Sequence, residues 1–458
     1  MDLKNVVLPY QDSSTEWDIR VEDGVVSSMK PAADKTTPSV MLPSLSHPHI
    51  HLDKPYLLTC NHSASPNHPD YSDLLPKSGG FQEAMENTAE AKKRYTKEDL
   101  YLRGSQLLAT SYQQGVTSMR AFVEVDAVTQ FQSLEVAIRL KKEFANFIHV
   151  QICLFAQDPI LSGDDGVENL AVFLKALLTF NSEIDAIGTT PYVESDPGAH
   201  DRNIKWAIQT ALQHGKHLDF HIEFNLEGKG THMTVFESII HELKRQSWPT
   251  HPGAPTVVLG HATRLTRASH EDLIAFSRLL RETKLPVHFV GLPTSDLYMM
   301  GRIGFDDSDY FEEGPPLSRP SGTINVPKLI QQYGIKTCLS VNNVGNPFTP
   351  HGNGDPLGIA CWGVGLFHAG RVEDAKMLYE AISTKAMGAI MPSEEGYRKK
   401  FIVEEGKPLM PMLLFRNEEN MEITSAAGGT IKVPARQRLK VQDIVWDPPE
   451  TRLRSIIR

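Results

Sequence analysis

Two periodicities alternate along this chain. Segments with apolar residues at i, i+3 and i+4 are followed repeatedly by short, dense apolar runs. A helix over Lys97–Gln114, with Thr96 as its N-cap, leads through Gly115 into VTSMRAFVEV. Helices near 127–146, 166–180 and 201–214 precede FIHVQICLFAQ, IDAIGTTPY and HLDFHIEF. Others near 231–246, 269–283 and 324–333 precede TVVLGHATRL, PVHFVGLP and KTCLSVNN. With VMLPSLSHPHIH as the first, this makes eight strands. Short apolar strands alternating with helices predict parallel βαβ units, and eight of them predict a closed (β/α)8 TIM barrel of the α/β class. A doubly wound open sheet is the alternative this pattern leaves standing.

The ends read differently. Residues 1–44, with the alternating WDIRVEDGVVSSMKP, and about 405–458, with TIKVPARQRLKVQDIVWD, both look β-rich. They are expected to pair as a small β-sandwich side domain flanking a barrel over 45–404. Two connections, 61–95 and 302–323, are long for a compact domain and read as lids or binding loops, or else as unstructured insertions.

Composition narrows the function. A formal charge of -10 and a pI near 6.0, with acids spread along the chain and no basic block, argue against nucleic acid as a partner. No apolar stretch reaches the ~18 residues of a membrane span, and MDLKNVVLP lacks the form of a signal peptide, so a cytoplasmic enzyme is expected, with no membrane partner. Cys60, Cys153, Cys338 and Cys361 are far apart without a CxxC pair, which predicts reduced thiols.

In a TIM barrel, chemistry sits at the C-terminal ends of the strands. Strand 1 ends in His49 and His51, strand 3 in Gln157, and strand 5 in His221 with Glu223. Strand 6 ends in His261 and strand 8 in Asn342 and Asn343. Four imidazoles at one rim point to a site. His47 precedes Pro48, which distorts the strand, and reads as structural.

HIHLDK on strand 1, FAQD after strand 3, the strand 5 histidine, GHAT on strand 6, LPTSDLYMMGR after strand 7 and NPFTPHGNGDPL after strand 8 together resemble the cytosine deaminase branch of the amidohydrolase superfamily. The resemblance runs from about residue 2 to about 390. It implies one divalent metal ion, zinc or iron(II), with His49, His51 and His221 as ligands. It further implies that His261 steadies the hydrolytic water or the substrate, and that Gln157 grips a heterocycle.

Three positions depart from the family pattern. H-x-D-E after strand 5 is here His221-Ile222-Glu223-Phe224, so the shuttle carboxylate has become a phenyl ring. The strand 8 aspartate is replaced within Ser340-Val341-Asn342-Asn343, and R-T-H-V-D after strand 2 is Arg120-Ala121-Phe122-Val123-Glu124. Three histidines suffice to hold zinc with an open position. Loss of both proton carriers, each worth ~10²–10⁴ in rate, argues against ordinary cytosine deamination.

Three readings stand. One is metal-assisted hydrolysis of a C–N or similar bond in a small cyclic amide or N-heterocycle, with His261, Glu223 and Asn342 as catalytic candidates. Another is a non-hydrolytic reaction (isomerase, cyclase or lyase) in the same pocket, possible without metal, which Phe224 as an apolar substrate wall favours. The last is a catalytically silent binding protein. Asp296 and Arg302 are candidates for touching substrate, and Asp53 and Lys54 for orienting the ligand pair. Lys92-Lys93-Arg94 reads as a solvated helix face, and WGVGLFHAG as close helix packing. The family implies a homo-oligomer acting on a small-molecule substrate.

Overall fold

The computed structural model describes the chain except for residues 34–36, 61, 64, 224–225, 227–232, 301–321 and 393–395. Eight parallel strands form the barrel: β1 Leu45–His51, β2 Val116–Glu124, β3 His149–Ala156, β4 Ala186–Thr189, β5 His217–Ile222, β6 Val257–His261, β7 Val287–Gly291 and β8 Thr337–Leu339. Each pairs with the next in the chain. Past the end of β8, a parallel bridge between Ile50 and Asn342 joins the last strand to the first. There the His51 N–H donates to the Asn342 carbonyl at 2.9 Å and the Asn342 N–H to the His49 carbonyl at 3.1 Å. The open sheet is thereby excluded.

Local chemistry explains the helices. In helix α2, Lys97–Gln114, Thr96 accepts from the Asp99 N–H, satisfying one of the free donors of the first turn. It ends at Gly115 with φ +103, a left-handed turn that glycine makes without strain. A Cβ at Gly115 would also lie 2.5 Å from Leu413 Cδ2, so the residue lets the barrel and the terminal sheet pack closely. The predicted helix from 127 starts only at Gln132, because Asp126 accepts from the N–H groups of Val128 and Thr129 and holds a turn there. Within the 61–95 connection lies a helix, α1, Phe81–Lys92.

The apolar run before the histidines divides at Ser44. Ser39–Pro43 joins a six-stranded sheet with Asp2–Leu8, Asp12–Glu22, Val25–Pro31, Met412–Phe415 and Arg454–Ile457, and the barrel begins at Leu45. Val6, Leu8, Ile19, Val21 and Met41 of that sheet cluster with Met387, Phe401 and Val403. Asn420–Ser425 and Gly429–Pro434 form a separate hairpin. KVQDIVWD, expected to be β, is instead a helix over Val441–Trp446, since Val441, Ile444 and Val445 are buried at helical spacing and Asp443 accepts from the Lys440 N–H.

Candidate active site

The rim histidines meet. His221 Nε2 lies 3.1 Å from His49 Nε2 and 3.1 Å from His51 Nε2, and all three side chains are buried. His49, His221 and His261 each offer a nitrogen within 4.8 Å of the others. Burial is the main cause that lowers the pKa of His49 and carries those of His51 and His221 well below the usual value; Asp219 partly offsets it at His49. At neutral pH these imidazoles are uncharged, with lone pairs available to a cation.

The backs of the rings face acids at long range. His49 Nδ1 is 3.6 Å from Asp219 Oδ1, and His51 Nδ1 is 3.8 Å from Asp53 Oδ1. Asp219 is fixed by the buried Arg120 at 3.1 Å, and Asp53 accepts the Glu124 N–H at 3.0 Å. Asn342 donates from Nδ2 to Ser295 Oγ at 3.1 Å, while its buried Oδ1 has no hydrogen-bond partner. Three converging ring nitrogens, with an orphaned amide oxygen on the neighbouring strand end, fit a divalent ion. A tetrahedral ion with ~2.0–2.1 Å bonds to nitrogen holds its ligands about 3.4 Å apart, close to the spacing seen.

The sequence candidates are placed unequally. His261 Nδ1 is 2.7 Å from Asp296 Oδ1, and Asp296 Oδ2 accepts from Thr323 Oγ1 at 2.7 Å and the Leu292 N–H at 3.2 Å. Asp296, expected at the substrate, therefore has both oxygens committed and is wholly buried. Glu223 takes a left-handed φ of +49, which breaks the strand alternation. Its carboxylate pairs with Arg264 at 2.6 Å and lies 3.9 Å from His200; among the described residues it has no ion pair with the four rim histidines. Gln157 is buried, with Oε1 accepting from Lys54 Nζ at 3.4 Å. His47 is fully buried, and the β1–β2 register shifts between His47 and Ile50, around Pro48. Phe224 and Arg302 lie outside the described residues.

Other contributors escaped sequence reasoning. Phe122, one of the departures from the family pattern, sits with its ring centroid 4.2 Å from His49 and 4.8 Å from His221, and Phe155 is 4.4 Å from His221. Together they make an apolar floor. The Tyr192 phenol, after β4, has its pKa raised mainly by burial, with the charges of Glu223 and Asp296 adding to it. Lys92, read as solvated, is buried among three carboxylates. Glu223, His261 and Asn342 all have positive φ, at +49, +66 and +66. Such backbone costs of order 1–3 kcal/mol per residue and concentrates at functional sites.

No family model matches the chain. It is 21% identical over 406 residues to N-isopropylammelide isopropyl amidohydrolase of Pseudomonas sp. (strain ADP), covering 85% of this chain and 83% of that protein. Among solved structures, 5-methylcytosine deaminase of Klebsiella pneumoniae with 5-fluorocytosine superimposes with a TM-score of 0.70 at 20% identity, over 91% of each chain. N-isopropylammelide isopropylaminohydrolase of Burkholderia multivorans gives 0.61 at 17% identity, over 90% of this chain and 91% of that one. The closed barrel with its terminal side sheet is thus the fold of the amidohydrolase-superfamily deaminases that the sequence motifs resemble.

Proposed function

We propose that the chain is an amidohydrolase-superfamily enzyme that hydrolyses a C–N or similar bond of a small cyclic amide or N-heterocyclic metabolite, other than by ordinary cytosine deamination. The observation that carries this reading is the meeting of His49, His51 and His221 at 3.1 Å spacings beside a histidine with its own buried acid. His49, His51 and His221 would hold a zinc or iron(II) ion, with Asn342 Oδ1 adjoining them. Bound there, such an ion supplies Lewis acidity and acidifies water.

The chain's own residues do the rest. Asp296 binds Nδ1 of His261 and so leaves Nε2 to exchange protons. His261 takes a proton as the water oxygen bonds to the ring carbon, then returns it to the leaving nitrogen as the C–N bond breaks. Gln157 orients the heterocycle, and Phe122 and Phe155 keep bulk water from the floor. Glu223 braces Arg264. Phe224 is assigned to the substrate's apolar face by sequence alone.

The deaminase and isopropylamino-hydrolase activities named for the relatives agree with this class of chemistry. Among the described residues, no helix is long and apolar enough to cross a membrane, and a cytoplasmic location is part of the proposal. So is self-association. The separate hairpin exposes Met421, Ile423, Ile431 and Val433, which pair across its two strands and make an apolar ridge suited to a second copy.

Metal analysis of protein purified without chelator should find about one ion per chain. A screen of substituted pyrimidines and triazines should then return a hydrolysed substrate that His261→Ala no longer turns over. A metal-free, hydrolytically inert protein would overturn this reading. Asn342, a neutral group at the end of β8, favours one second reading: a non-hydrolytic isomerisation, cyclisation or elimination run by His261.

A further inference from the structure

Helix α1 crosses the barrel mouth. Met85 Sδ lies 3.9 Å from Gln157 Nε2, and the Phe81 ring centroid is 6.0 Å from Phe348 and 6.3 Å from Tyr192. Phe348 in turn lies 5.6 Å from Lys54 Nζ. An apolar edge therefore faces groups belonging to the candidate site.

Both ends of the helix are tied down. At its start, Glu83 accepts from the N–H groups of Lys77, Ser78 and Gly79 at 2.7–2.9 Å. At its end, Lys92 Nζ donates at 2.6 Å to each of Glu124, Asp126 and Asp158, which stand at the ends of β2 and β3. An ammonium has three donors, and here each meets a carboxylate. Glu124 is shared: its second oxygen accepts from Lys54 Nζ at 3.2 Å, and Lys54 also donates to Gln157. A chain of charged contacts thus runs from the helix through Lys92, Glu124 and Lys54 to Gln157.

We propose that helix α1 is a fixed roof over the substrate pocket, with Phe81 and Met85 as its ceiling and Lys92 as the positioning residue that latches it to the rim. The proposal rests on the barrel mouth being the substrate site. It adds a determinant of what enters. A substrate must fit beneath an apolar ceiling, and loosening the latch frees both that ceiling and the lysine that orients Gln157.

Hydrogen exchange tests the latch without a substrate. Lys92→Met should raise exchange of the amides of residues 84–92 at least tenfold, with barrel-strand peptides unchanged. Lys93→Met, at an exposed neighbour, should leave them as in the wild type. Should Lys92→Met fail to fold, Asp158→Asn removes the most exposed leg of the latch and should raise exchange about threefold. Wild-type protection of α1 in whichever variant folds overturns the proposal. For the ceiling, the rate at which dipicolinate strips zinc from the loaded enzyme should rise at least tenfold in Phe81→Ala/Met85→Ala, and an unchanged rate refutes a roof there. A protein that binds neither zinc nor iron(II) would instead sink the functional reading and leave the exchange result to decide the latch.

Discussion

Adding one methyl group at Gly260 tests the histidine site and its packing together. An ideal Cβ at this β6 residue would lie 2.6 Å from His49 Cε1 and 2.8 Å from His49 Nδ1. Carbon atoms normally meet at about 3.5–4.0 Å, so the ring must retreat by about 1 Å. It has nowhere to go. His49 is fully buried, with Phe122 at 4.2 Å and His221 at 4.4 Å between ring centroids. Overpacking of this kind costs about 1–3 kcal/mol. Displacing a ligand should weaken metal affinity by at least the ~10–100-fold seen when a ligand's supporting contact is lost. Urea unfolding of metal-free Gly260→Ala, followed by competition with a chromophoric chelator, reads both quantities. Reduced stability with unaltered affinity would remove His49 from the ligand set. Unchanged stability would refute the packing argument itself.

Asp296→Asn should lower kcat by ~10²–10⁴ on any substrate the screen returns, with metal content preserved, because His261 loses the acid that fixes its tautomer; kcat within threefold of wild type would dismiss the dyad. Arg120→Met should cost about 3–5 kcal/mol by leaving Asp219 buried without its partner, and Asp219→Asn in the same chain should recover part of that loss; strictly additive costs in urea unfolding would contradict the pairing. His217 Nδ1 accepts the Thr256 N–H at 2.8 Å, and burial, then Arg120 and Lys216, hold its pKa down at about 3 against 6.5 for the ordinary group. Since the unfolded chain takes up this proton first, the stability contributed is complete above pH 6.5 and is lost as pH falls towards 3, by about 2 kcal/mol at pH 5. His217→Asn, which keeps an acceptor but does not titrate, should flatten the pH–stability curve in that window; an identical slope would count against the assignment.

How much of this was legible follows from which interactions are periodic. The eight strands, the Lys97–Gln114 helix and the four rim histidines announce themselves because strand alternation and helical spacing repeat along the chain. Contacts between distant residues do not repeat. Asp296 reads as a substrate-facing acid, and only the fold brings it to His261. Lys92 sits in a Lys-Lys-Arg run that resembles a solvated face, yet its partners lie 32 to 66 residues away. Glu223 defeats the pattern for a local reason: its left-handed backbone cancels the alternation that would have set it beside His221. Phe122 was visible as a departure, but its place beneath the imidazoles was not.

The seam of the barrel has a consequence for assembly. Ser340 Oγ donates to the His49 carbonyl at 2.7 Å across 291 residues of sequence, and Asn342 bonds the same strand on either side of Ile50. The peptide groups that zip the cylinder shut are therefore those of the residues around the candidate metal site. Contacts so remote in sequence are slow to form, because a long loop must close before they are rewarded. Binding competence should thus emerge last in refolding, after most of the helical signal has returned, and a nascent chain released before residue 342 would carry its histidines without a pocket.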